Sequence, residues 1–188
     1  MGGLVLQKDR KSAEARTLDG MPLEVSTDLH DMIATKLWAN PCWLSFRVNF
    51  IGHHFNQPIY DHIARVWSLS APEHVVLYAL GLKEGIAADD IVVSSAKPKN
   101  TLSRAVNALL RKRLILRAQD PKDRRRFPLR LTRRGRTIVE KTVPLFVEQE
   151  RAMAAALSER EQLQLRQLLT KIVLNQKSWP TGIEGRPT

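Results

Sequence analysis

The chain of 188 residues contains a single cysteine, Cys42. One thiol allows no internal disulfide and no Cys-rich zinc site, and it fits a reducing compartment. No apolar run approaches the roughly 18 residues that a membrane span requires. The start, MGGLVLQKDRK, holds only a brief apolar patch, too short for a secretory signal, and it lacks the Ser or Thr at position 6 that myristoylation favours. Catalytic signatures are missing as well: no HExxH, no GxSxG and no Gly-rich phosphate loop. His53 and His54 are adjacent, so on a helix they diverge by about 100° and do not easily share a metal. The expectation is a cytoplasmic protein with no enzyme activity, no cofactor and no metal.

What the chain does have is concentrated positive charge. Between Lys97 and Arg136 stand 15 Lys or Arg and two acids, Asp120 and Asp123, a net +13. The whole chain carries +11, so the remainder is close to neutral at −2. A bias of composition would spread the charge evenly. A local excess of this size reads as a surface for phosphates. With 43% hydrophobic residues the chain is globular, large enough for one core plus an appended element.

Periodicity gives the organisation. From Trp38 to Val66 apolar residues recur at helical spacing. Trp43, Arg47, Phe50 and His54 share one stripe, with Leu44, Val48, Ile51, Phe55 and Ile59 on the next. Pro58 should bend or end that helix. Ser70 is the expected cap of a second helix with Pro72 in its first turn, running to Gly81. A short helix follows at about 87–95. Pro98 then suits the first position of another, 98–113. Its inner face is Leu102, Val106, Leu109 and Leu110, and its outer face Thr101, Ser103, Arg104, Asn107 and Arg111. Two short helices across a tight break form helix-turn-helix organisation.

Residues 114–119 follow as a strand pattern, Asp120-Pro121-Lys122-Asp123 as turn chemistry, and 127–132 as a returning strand. A hairpin directly after a helix-turn-helix is a wing. Arg124, Arg125 and Arg126 stand at its tip, where a basic fork suits the minor groove, while the second helix fits the major groove. Thr132 can cap a helix to about residue 156, with Pro144 as its kink, and Ser158 with Glu161 forms a capping box for a last one. Leu165, Leu168, Leu169, Ile172 and Val173 give that helix an apolar stripe beyond the needs of a small winged domain, which predicts an oligomer interface.

The fold class is therefore mainly α with a small β-hairpin wing: a winged helix-turn-helix domain plus a helical dimerisation region. The expected divisions are a flexible arm over 1–36, dimerisation helices over 37–66 and 133–176, the DNA-binding domain over 67–132, and a disordered tail over 177–188. Expected DNA contacts are Lys97, Lys99, Asn100, Thr101, Ser103, Arg104, Asn107 and Arg111 on the helix, with Asp123, Arg124, Arg125 and Arg126 on the wing.

With the wing in view, the sequence resembles the MarR family of winged-helix transcription regulators. Residues 120–135 read DPKDRRRFPLRLTRRG and fit the family's wing pattern DPxDRRxxxLxLTxxG at every specified position. Thr101-Leu102-Ser103-Arg104 followed by Leu109 fits its recognition helix. The resemblance spans about residues 37–175. It implies a triangular homodimer with intertwined terminal helices, bound to a pseudopalindromic duplex operator, commonly as a repressor, and released by a small ligand. The family usually has Gly where Arg113 stands, because the residue ending that helix often takes positive φ.

Trp43, Arg47, Phe50 and His54 offer aromatic surface beside a guanidinium and an imidazole, which suits an aromatic acid or acyl thioester as the effector. Cys42 lies sixteen residues before Pro58, the spacing of the reactive thiol in the hydroperoxide-sensing branch of the family. The positions of that branch's tyrosine partners are Phe46, Asn56 and Trp67 here, so peroxide sensing stands as the alternative. RNA binding is a more remote one, because no aromatic platform for stacked bases is present.

Overall fold

A computed structural model describes residues 31–95, 97–118 and 127–180. The helices are α1 (Asp31–Trp38), α2 (Trp43–Trp67), α3 (Ala71–Leu82), α4 (Ala88–Ser95), α5 (Lys99–Arg111), α6 (Arg133–Ala154) and α7 (Glu159–Leu174), with a 3-10 turn at Gln176–Ser178. Strands β1 (Ile115–Arg117) and β2 (Leu129–Leu131) pair antiparallel, Ile115 opposite Leu131 and Arg117 opposite Leu129. This is a mainly α fold with a small two-stranded wing. It divides into two compact units between Phe50 and Ile51.

The described part of the first unit holds α1 and the start of α2. Residues 31–36, expected as flexible arm, are helical. The single helix expected from Trp38 is instead broken at residues 39–42. Pro41 has no N–H to donate and pushes Asn40 out of the helical region. Asn40 Oδ1 then accepts the Cys42 N–H at 2.8 Å and helps start α2. Phe46 and Phe50 lie 5.5 Å apart between ring centres, and the Lys36 ammonium sits 5.6 Å from the Phe46 ring.

The second unit has one core. It gathers Ile59 and Ile63 of α2, Val76, Leu77 and Leu80 of α3, Ile91 of α4, Leu102, Val106 and Leu109 of α5, and Val139 of α6. The wing closes it with Leu114, Ile115, Leu129 and Leu131. The chain between α3 and α4 adds a bridge, with Leu129 donating to Ile86 O and Gly85 donating to Leu129 O, both at 3.0 Å.

Pro58 does not end α2, which runs on to Trp67. Proline cannot bond the carbonyl four residues back, that of His54. Gln149 of α6 supplies the missing donor, Nε2 to His54 O at 3.3 Å. Pro144 likewise lies inside an unbroken α6.

The caps follow local chemistry. Ser70 and Glu73 form a full capping box at α3, as Ser158 and Glu161 do at α7. Thr132 Oγ1 accepts from Gly135 N–H at 3.2 Å and starts α6. Pro98, expected as the first residue of α5, is its N-cap, and the helix starts one residue later at Lys99. Arg113 has φ +55°, the left-handed conformation that glycine takes without steric cost. The departure at Arg113 thus leaves the turn geometry in place and carries it on a residue with a Cβ.

Candidate nucleic-acid interface

Helix α5 has a large apolar-to-polar asymmetry. Leu102, Ala105, Val106 and Leu109 are buried against α3 and α4, so Ser103, Arg104, Asn107 and Arg111 are left exposed on the opposite side. The sequence placed these four correctly. Thr101 is half-buried. Its N–H donates to Asn100 Oδ1 at 2.8 Å, so the Asn100 side chain helps shape the first turn. Lys97 is exposed, and its N–H donates to Ser95 Oγ at 3.3 Å. Arg104 and Arg111 line a cleft of about 480 Å³ with Ser70, Pro72 and Glu73 at the start of α3.

Not every cation in the basic window is unpaired. Lys99 lies 3.1 Å from Asp89 of α4, both well exposed. Lys112 pairs with Glu73, and Arg136 with Glu84. The Lys99–Asp89 pair, exposed on both sides, contributes little to stability, whereas the Glu73 carboxylate is buried. All three pairs subtract from the charge that a phosphate would meet. The wing residues Asp123, Arg124, Arg125 and Arg126 lie outside the described residues.

The four candidate effector residues all lie on α2. Trp43 and Phe50 are exposed. Arg47 is already engaged: its guanidinium donates to Leu37 O at 2.7 Å and Trp43 O at 2.9 Å. His54 is exposed and in edge-to-face contact with His53 at 5.4 Å. Cys42 is exposed at the helix start. Of the residues at the tyrosine positions, Asn56 donates to Gly52 O at 2.7 Å and Trp67 meets His62 edge to face at 5.6 Å.

Two polar constellations behind the interface escaped the sequence. The first is His74 on α3, fully buried and bonded through Nε2 to Thr142 Oγ1 of α6 at 2.9 Å. Thr142 Oγ1 also lies 2.9 Å from Ile138 O, and when its proton goes there His74 Nε2 is the donor of the pair. The ring stacks on Phe146 at 5.2 Å and is flanked by Tyr60 and Tyr78. Burial among these rings pushes the imidazole down to about 4. The second is Glu73. Burial alone would raise its carboxyl, but hydrogen bonds from Lys112 and Ser70 and the Lys112 charge hold it below the usual carboxylate range. His74 and Thr142 are far apart in sequence, and no local pattern announces such a pair. Glu73 was findable, as the acid three residues after Ser70.

Comparison with known proteins agrees with this geometry. Residues 67–126 match the MarR family. The transcriptional regulator HosA of Escherichia coli O111:H- is 28% identical over 126 residues, covering 64% of this chain and 93% of HosA. Among solved structures, the Staphylococcus aureus MepR–DNA complex is similar at 29% identity and a TM-score of 0.60, covering 70% of this chain and 96% of that one. A MarR-family regulator from Silicibacter pomeroyi shares the fold at 19% identity and a TM-score of 0.66, over 84% of this chain and all of that one. Helices α3, α4 and α5 and strand β1 fall inside the matched segment, and over residues 67–126 this chain is similar to the MarR family of winged helix-turn-helix proteins.

Proposed function

We propose that this chain is a DNA-binding transcription regulator, acting as a homodimeric repressor on a pseudopalindromic duplex operator. The observation that carries the reading is the outward face of α5. Ser103, Arg104, Asn107 and Arg111 are exposed on one side of a helix whose other side is core. A helix of this width fits the major groove, where Arg reads guanine and Asn reads adenine through paired hydrogen bonds. Asp123 would orient Arg125, and Arg124–Arg126 would enter the minor groove. The similar S. aureus MepR has been seen in a complex with DNA, which supports the same partner here.

A second copy of the chain would cover α7. Leu165, Leu168, Leu169, Ile172 and Val173 are between 37% and 56% exposed, too much apolar surface on one helix to leave in water. The effector we assign is a small aromatic acid or acyl thioester, taken up on α2 by Trp43, Arg47, Phe50 and His54. Its carboxylate would compete with the Leu37 and Trp43 carbonyls for Arg47, and a guanidinium exchanges carbonyls for a carboxylate favourably.

The test is base preference. Arg104→Ala and Asn100→Ala should each change which base is favoured at a position of the site, by about 1–3 kcal/mol of discrimination. Binding across a panel of single-base duplex variants measures it. A reading of bases from this helix is refuted when both variants weaken every duplex equally.

A further inference from the structure

Lys112 lies inside the basic window and stands at the C-cap of α5. A phosphate ligand at that position would keep its ammonium open to water. This one is already spent. Nζ lies 2.6 Å from Glu73 Oε1 and donates to Ser68 O at 2.9 Å. The other carboxylate oxygen of Glu73 accepts from Ser70 N–H at 2.7 Å and from Ser70 Oγ at 3.0 Å. The Glu73 side chain is 7% exposed. One ammonium thus ties the end of α5 to the first turn of α3 and to the residue that follows α2.

α3 and α5 also share the apolar core, through residues such as Leu77, Leu80, Val106 and Leu109. Apolar burial is strong but non-directional, and it tolerates small rotations. A buried carboxylate held by an ammonium at the surface tolerates fewer, because displacement leaves that carboxylate desolvated and underpaired. We infer that Glu73 and Lys112 are positioning residues whose ion pair fixes the rotation of α5 against α3, and so decides which outward side chains meet base edges. This rests on the DNA-binding reading above.

Charge alone predicts the opposite outcome. Glu73 is an acid beside Arg104 and Arg111, so its neutralisation should tighten binding to any DNA. Removal of a phosphate-contacting lysine should weaken all sequences alike and make the salt dependence shallower. The experiment compares Lys112→Met, Glu73→Gln and the double variant, at a temperature where thermal melts show each one folded. The probes are a duplex selected by the wild-type chain from a randomised pool and a scrambled duplex of the same composition.

Each variant should lose about tenfold in the ratio of selected to scrambled affinity, with scrambled binding held within about twofold, as expected of a loosened supporting contact. The double variant should be no worse than either single one, since both remove the same bond. Lys112→Arg keeps the pair and should keep most of the ratio, which serves if Glu73→Gln fails to fold. Uniform weakening by Lys112→Met with a shallower salt slope would overturn the inference, as would tighter binding of both duplexes by Glu73→Gln. A wild-type chain that selects no duplex defeats the DNA-binding reading itself, which is a different failure.

Discussion

Alanine at Gly135 should destabilise the fold by about 3 kcal/mol, whereas alanine at Gly52 should stabilise it by about 1 kcal/mol. Both glycines are helical. A Cβ at Gly52 meets nothing within 4 Å, so only the helix propensity of alanine counts. A Cβ at Gly135 would overlap the carbonyl oxygen of Leu114. That oxygen is held in place, because it accepts the Thr132 N–H at 3.0 Å and the Thr132 hydroxyl at 3.1 Å. Backbone stands on both sides of the clash, and no flexible side chain can yield. The first turn of α6 is thereby pressed onto the start of the wing, and this fixes where the hairpin leaves the core. Urea melts of the two variants check the signs. Equal shifts in one direction would mean that the close approach at Gly135 does not exist.

The second large effect is acid sensitivity. An unfolded histidine titrates near 6.5, and buried His74 near 4. Between those values the unfolded chain takes up a proton that the folded chain refuses, so stability rises with pH across the window. The contribution is complete above about pH 7 and is lost as the pH falls from 6.5 towards 4. It amounts to about 3 kcal/mol in all, about 2 of them gone by pH 5. Glu73, with its folded carboxyl lowered, gives stability that is present above the usual carboxylate range and lost only at lower pH. The two effects therefore separate. His74→Phe keeps the stack on Phe146 and should flatten stability between pH 7 and 5, measured by urea unfolding. A wild-type chain equally stable at both values would show that His74 is not buried neutral against Thr142.

What the sequence disclosed follows the range of the forces involved. Ser70, Thr132 and Ser158 were legible as caps because a cap answers to residues three positions away. The exposed face of α5 was legible because Leu102, Val106 and Leu109 fix the buried side at helical period. The break before α2 was not, since the apolar spacing continues through Asn40 and Pro41 although the backbone does not. The continuation of α2 past Pro58 was not legible either, because the carbonyl that Pro58 leaves unbonded is met by Gln149, 95 residues from His54. The charge of the basic window was visible as a sum. Its partition was not, because Asp89, Glu73 and Glu84 lie outside the window and only folding brings them to Lys99, Lys112 and Arg136.

In the proposed function, α5 and the basic window bind duplex DNA. The most direct test is equilibrium binding to a duplex selected from a randomised pool, titrated with salt, beside a single-stranded RNA of the same sequence. The window's net +13 should neutralise several phosphates per chain even after its paired lysines and arginine are set aside, and twice as many in the proposed homodimer. The expected log–log slope is on the order of −6 or steeper for the duplex, with much weaker binding of the RNA. A flat response up to physiological salt, or RNA bound as tightly as the duplex, would contradict that function.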